Sequence, residues 1–169
     1  MAELRRFGWF IEKVLAGSAH PGTFDNYNCL VTTYNIGAVV NFVQNPSKHW
    51  LKKFPIWLTE NNVWGLHLPT KDGFGFTTQQ LWGLAHFFDG CVEEGRPLVL
   101  HCKMGVGRTG TGLVALVMYH QRKTVAEAFD YVVMKRPVTS MIEDRQYRSL
   151  RRWESDLQIF WANSGEDTS

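Results

Sequence analysis

The protein has 169 residues, 44% of them hydrophobic and 14% aromatic, which suits one globular domain with its own core and excludes a disordered or fibrous chain. Its 18 basic and 16 acidic residues leave a net charge of +2, so there is no global signature of nucleic-acid binding, and no apolar run approaches a bilayer's thickness. Three cysteines, Cys29, Cys91 and Cys102, stand at irregular spacings that match neither a disulfide framework nor a zinc pattern.

The N-terminal LRRFGWFIEKVLAG begins like a signal peptide, but Glu12 and Lys13 interrupt any apolar region. Within it, WFIEKVLAG predicts an early strand. TFDNYNCLVTTYNIG predicts a helix closed by Gly37, and AVVNF a short buried strand. Residues 44–62, with two prolines and mixed aromatics, read as an irregular excursion. VWGLHL returns to strand, and PTKDGFG is a loop with Asp72 beside Gly73. TTQQLWGLAHFFDGCVEEG opens with a capping box, Thr77 with Gln80, and carries Leu81, Leu84, Ala85, Phe88, Cys91 and Val92 at helical spacing up to Gly95. PLVLHC is a fully apolar strand and GTGLVALVMYHQR a helix apolar on most faces, hence buried. TVAEAFDYVVMKRP starts on a second capping box, Thr124 with Glu127, and stops before Pro137. A last amphipathic helix shows Tyr147, Leu150, Trp153, Leu157 and Phe160 on one side. Strands alternating with helices predict a single-domain α/β sandwich over residues 1–161, its central sheet mainly parallel and flanked by helices, followed by a disordered tail, 162–169.

The chemistry concentrates in LVLHCKMGVGRTGTG, residues 98–112. Cys102 and Arg108 bracket a short loop between a buried strand and a buried helix. Glycines at 105, 107, 110 and 112 let successive backbone N–H groups turn inward as an anion nest at the helix N-terminus. An arginine entering the helix grips two phosphate oxygens with its planar fork, and the same positive environment favours a thiolate at Cys102. The loop therefore suits a tetrahedral dianion held above a nucleophilic sulfur. It is not a Walker loop, because no lysine followed by Ser or Thr closes it.

HCKMGVGRTGTG resembles the signature loop of the cysteine-dependent protein tyrosine phosphatase superfamily, in its dual-specificity branch, and FGWFIEKVLAGSAHP and KRPVTSMIEDRQY are similar to flanking segments of the small atypical members. Val138 stands where the family usually has glycine, with one residue inserted before Gln146. The resemblance implies phosphate monoester hydrolysis through a phosphocysteine intermediate. Cys102 is the nucleophile. Lys103, Met104, Gly105, Val106 and Gly107 with Arg108 form the phosphate cradle, and the Thr109 hydroxyl stabilises the sulfur. Asp72 is the general acid, although the family's proline directly before it is here three positions earlier, at Pro69. Asp89, inside a helix, is the rival carboxylate. His101 and Gln146 are supporting residues, His101 being equally readable as a satisfied core histidine.

No segment resembles the loop that deepens the pocket of tyrosine-only enzymes. Phosphorylated proteins bearing phosphotyrosine, phosphoserine or phosphothreonine are therefore the expected substrates. A phosphoinositide or other non-protein substrate is the alternative, suggested by Lys103 and Lys71. No metal or cofactor is expected, nor nucleic acid, nor a transmembrane segment, and the chain is expected to be a monomer. An odd cysteine count without a secretory leader points to the cytoplasm, with the nucleus also open.

Overall fold

The computed structural model describes residues 4–165. Strands β1 (Gly8–Ile11) and β2 (Leu15–Ala19) form an antiparallel hairpin where one early strand is expected. Strands β3 (Ala38–Val43), β4 (Trp64–Thr70) and β5 (Leu98–Cys102) complete a sheet of order β1-β2-β5-β3-β4. Every pairing beyond the hairpin is parallel, so the sheet is mainly parallel as expected. Strand β5, which ends at Cys102, lies at its centre.

Alternation along β5 feeds two cores. Leu98 and Leu100 face the larger one, under helices α3 (Thr78–Glu93), α4 (Gly107–Gln121), α5 (Val125–Lys135) and α6 (Asp144–Ser164). Val99 faces the smaller one, under α1 (Phe24–Thr32) and α2 (Lys48–Glu60). Helix α4 is buried continuously from Arg108 to Met118, which explains its apolar circumference. Both capping boxes form, at Thr77–Gln80 and Thr124–Glu127.

Four further sequence expectations need correction. Helix α1 ends at Thr32, and the chain reverses through Asn35, at φ 54°, before Gly37 is reached. Residues 44–62 are not an irregular excursion: Ser47 caps α2 by accepting from the Trp50 amide, and the helix runs on through Pro55. An interior proline costs about 3 kcal/mol. Trp50, Phe54 and Trp57 recur on one buried face, stacked on one another and against Tyr27. Burying three such side chains contributes roughly 2 kcal/mol or more each, which outweighs the proline. Val92 is 44% exposed at the outer end of α3, although its spacing predicts burial. Residues 162–164, expected in the tail, continue α6, with the Ser164 hydroxyl donating to the Phe160 carbonyl. Gly165 is the C-cap of α6, and the rest of that expected tail, 166–169, falls outside the described residues.

Candidate active site

Strand β5 delivers Cys102 at its C-terminal end and α4 begins at Gly107, so the loop between them curls around the sulfur. Two donors meet the Cys102 Sγ: the Gly105 amide at 3.2 Å and the Thr109 hydroxyl at 3.1 Å. Both stabilise negative charge there. Gly105 is held at φ 71°, and a Cβ built on it would lie 2.5 Å from the Ala19 nitrogen and 2.6 Å from the Ser18 oxygen. Only glycine lets the loop lie this close to β2. Cys102 itself is 2% exposed and lines a cleft of about 280 Å³ with Asp72, Met104, Val106, Gly107 and Gln146 among others.

Arg108 is 3% exposed and anchored by backbone. Its Nη1 donates to the carbonyls of Thr70, at 2.8 Å, and Phe42, at 3.3 Å, at the ends of β4 and β3. Its Nη2 lies 3.1 Å from Asp72 Oδ1, while its Nε is buried with no hydrogen-bond partner. The fork is thus fixed on its protein side and holds a carboxylate on its open side. The two carbonyls carry no side-chain signature, so no sequence pattern could have flagged them.

Asp72 stands in the loop 71–77 between β4 and α3, its side chain 83% exposed. The loop is docked on α6 through Gly75, where a Cβ would come within 2.6 Å of the Arg145 carbonyl oxygen. Phe74 lies between two cations, Lys71 at 4.7 Å and Arg145 at 4.5 Å from its ring centre. Asp89 is elsewhere: on α3 it accepts from the Tyr119 hydroxyl at 2.6 Å, and it does not line the cleft. The structure brings Cys102, Arg108, Thr109 and Asp72 together and leaves Asp89 out.

His101 is fully buried behind the loop. Its Nε2 lies 2.9 Å from the Tyr27 hydroxyl, which receives the Trp50 indole N–H at 3.0 Å. Burial pushes the Tyr27 phenol up, against the smaller effect of the Trp50 bond, so Tyr27 stays protonated where it pairs with His101. Burial, and then the His20 ring, hold His101 well below the usual histidine range, against the smaller raising effect of the Cys102 backbone; its ring is neutral. Tyr27 and Trp50 are missed by sequence reasoning because a core aromatic and a supporting one look alike. Gln146, 1% exposed, accepts from the Glu143 amide through Oε1; its Nε2 is buried without a partner and lies against Gly107.

Lys103 turns away from the cleft. It lines a larger cavity of about 580 Å³ beside the loop, with His20, His49, Lys53 and the edges of Phe24 and Trp50. Among the described residues no cluster of His, Cys, Asp or Glu is arranged to hold a metal ion, and no helix is long and apolar enough to cross a membrane.

Residues 16–122 match the family model described as polymorphic toxin system, DSP-PTPase phosphatase. Among curated proteins, the dual specificity protein phosphatase CDC14C of Homo sapiens is 41% identical over 51 residues, 30% of this chain and 11% of that protein. CDC14B of Mus musculus is 32% identical over 66 residues, 39% of this chain and 14% of that protein. The chain thus spans only a small part of the length of the curated relatives it matches. Among solved structures, Tk-PTP in its G95A mutant form superposes with a TM-score of 0.76 at 25% identity, covering 90% of this chain and 97% of that one. PTPMT1 superposes with a TM-score of 0.80 at 19% identity, over 93% and 99% of the two chains, which shows a shared fold; it has also been solved in complex with PI(5)P.

Proposed function

The chain belongs to the DSP-PTPase phosphatase family, and from that premise we propose that it hydrolyses phosphate monoesters in phosphorylated proteins through a phosphocysteine at Cys102. The observation that carries this reading is the double hydrogen bond at the Cys102 sulfur beside an Arg108 anchored on two backbone carbonyls. A phosphoryl group entering the cleft takes the open side of the Arg108 fork from Asp72, and the loop amides donate to its remaining oxygens. The Cys102 sulfur attacks phosphorus in line, forming the S–P bond as the ester P–O bond breaks. Asp72, freed from Arg108 and protonated, gives its proton to the leaving oxygen. In the second step Asp72, now a carboxylate, takes a proton from water as the water oxygen attacks phosphorus. Thr109 stabilises the departing thiolate, and the unpartnered Gln146 amide at the cleft wall suits holding that water. None of these steps draws on a metal or organic cofactor, and free thiol chemistry of this kind fits the cytoplasm.

A second reading, a phosphoinositide or other non-protein phosphate ester as substrate, is favoured by the cavity beside the loop, whose walls carry Lys53 and Lys103. Release of phosphate from phosphotyrosine, phosphoserine and phosphothreonine peptides, run beside a phosphoinositide panel, tests both. Turnover of peptides above lipids supports the first; turnover of lipids alone overturns it in favour of the second. A protein that binds phosphate but turns over neither class, nor a small aryl phosphate, would be a binding module.

A further inference from the structure

The reaction proposed above needs Cys102 as a thiolate, and Arg108 flanks it from one side of β5 only, anchored over β3 and β4. On the other side, over β2, lies a second arginine with no part in the mechanism so far. Arg136 caps the C-terminus of α5. A Cβ built on Gly17 of β2 would lie 3.4 Å from the Arg136 Nε and 3.0 Å from the Thr109 methyl, so the guanidinium and Thr109 share one packing site. Thr109 is the residue whose hydroxyl stands 3.1 Å from the Cys102 sulfur. The next two residues of β2, Ser18 and Ala19, form the floor on which Gly105 rests, and Ala19 is the ladder partner of Cys102.

The charge of Arg136 is poorly compensated. Its Nη2 donates to the Arg6 carbonyl at 3.2 Å, whereas its Nη1 is buried with no hydrogen-bond partner. Among the described residues no carboxylate stands within ion-pair distance of it; the ion pair in this region joins Asp72 to Arg108. A half-buried guanidinium with a buried, unpartnered Nη1 is costly without a counter-ion, and a thiolate at Cys102, reached through Thr109, would supply one. Burial pulls Arg136 below the ordinary guanidinium value, Cys102 acts against that shift, and Arg6 adds to it.

We propose that Arg136 is a positioning residue, a second cation under the nucleophile loop that holds Cys102 as a thiolate from the side of β2 while Arg108 receives the phosphate from the side of β3. Arg136 transfers no proton and touches no substrate; it acts through the sulfur. The other charged or titratable groups around this centre are Arg6 from the N-terminal segment, Arg108 on α4, Asp72 on the loop after β4, Glu143 before α6 and the neutral His101.

The proposal rests on Cys102 being the nucleophile, and the experiment separates the two. Alkylation by iodoacetamide is followed by mass spectrometry on the peptide containing Cys102, at pH 6 and pH 9, so that Cys29 and Cys91 do not contribute. In Arg136→Gln, which retains a donor for the Arg6 carbonyl, alkylation at pH 6 should slow about ten-fold while alkylation at pH 9 stays within about two-fold, because a lost neighbouring cation matters only where thiol and thiolate compete. Arg136→Lys should restore the pH 6 rate. A Gln variant that matches wild type at pH 6, or slows equally at both pH values, overturns the role of Arg136 and leaves a structural tie to Arg6. If Arg136→Gln does not fold, Arg136→Met, which keeps the apolar stem, is read by the same criteria. A wild-type Cys102 no faster at pH 6 than Cys29 overturns the nucleophile itself, whatever Arg136 does.

Discussion

In the loop after β5, Cys102 and Arg108 are buried, the sulfur has two donors, and Gly105 rests directly on backbone. In the loop after β4, Asp72 is 83% exposed and its one ion pair is to Arg108. Both loops join a parallel strand to a helix, at the carboxyl edge of the same sheet, where open α/β folds place their ligands. The first loop is over-determined because recognising a tetrahedral dianion needs several dipoles fixed in advance. In the proposed reaction the second carries one proton and releases Arg108 when phosphate arrives, which suits an acid held by a contact that the substrate itself can replace.

That contrast is broken most severely at the sulfur. Cys102→Ser should lower turnover of an aryl phosphate at least about 10⁴-fold, since an alkoxide cannot be formed there as a thiolate is. Phosphate binding should persist, because the amides and Arg108 remain. Steady-state rates and phosphate titration by calorimetry check the two halves, and residual turnover above about one part in a thousand would place the nucleophile elsewhere.

Arg108→Lys keeps the charge but loses the fork and one of the two anchors on Thr70 and Phe42. A loss of about 10²–10³-fold in kcat/KM is expected, with the melting temperature little changed. A loss below ten-fold would mean that the geometry of the first loop matters less than its charge.

Asp72→Ala tests the other side of the comparison, and here the effect should depend on the substrate. With a poor leaving group, such as a phosphoserine peptide, the rate should fall about 10²-fold or more, because the alkoxide needs its proton in the transition state. With an activated aryl ester the fall should be several-fold at most. Equal losses across a series of esters would remove Asp72 from the role, and its contact with Arg108 would then be merely a placeholder for phosphate.

The same contrast governed what the sequence made legible. Cys102, Arg108 and the glycines between them sit in one contiguous stretch whose residue types each have a local physical reason, so the loop and its central parallel strand could be read directly. Asp72 was reachable through its place before a capped helix. What escaped was nonlocal. The helix through Pro55 is decided by aromatic burial against Tyr27, a residue outside that segment. The anchors of Arg108 are carbonyls that any residue could supply, and Arg136 reaches Thr109 only because α5 ends above β2.

The smallest expected effect lies beneath the first loop, in the chain Trp50–Tyr27–His101. If that loop is rigid because its support is, then perturbing His101 should loosen it before the second loop responds. Burial holds His101 neutral in the folded protein, well below its ordinary value. The unfolded chain therefore binds a proton near pH 6.5 that the folded chain refuses, so the stability this group contributes is present above that pH and is lost as pH falls below it. The slope for one such group is at most about 1.4 kcal/mol per pH unit, so urea midpoints measured between pH 7.5 and 5 should fall on the acid side. His20, also lowered by burial, adds in the same direction. His101→Asn removes the titrating ring while keeping a polar partner for Tyr27, and should flatten the acid limb by the share that His101 carries. Identical acid limbs in the two proteins would show that His101 accepts its proton without opening the support, and that the rigidity of the nucleophile loop comes from Gly105 and Thr109 alone.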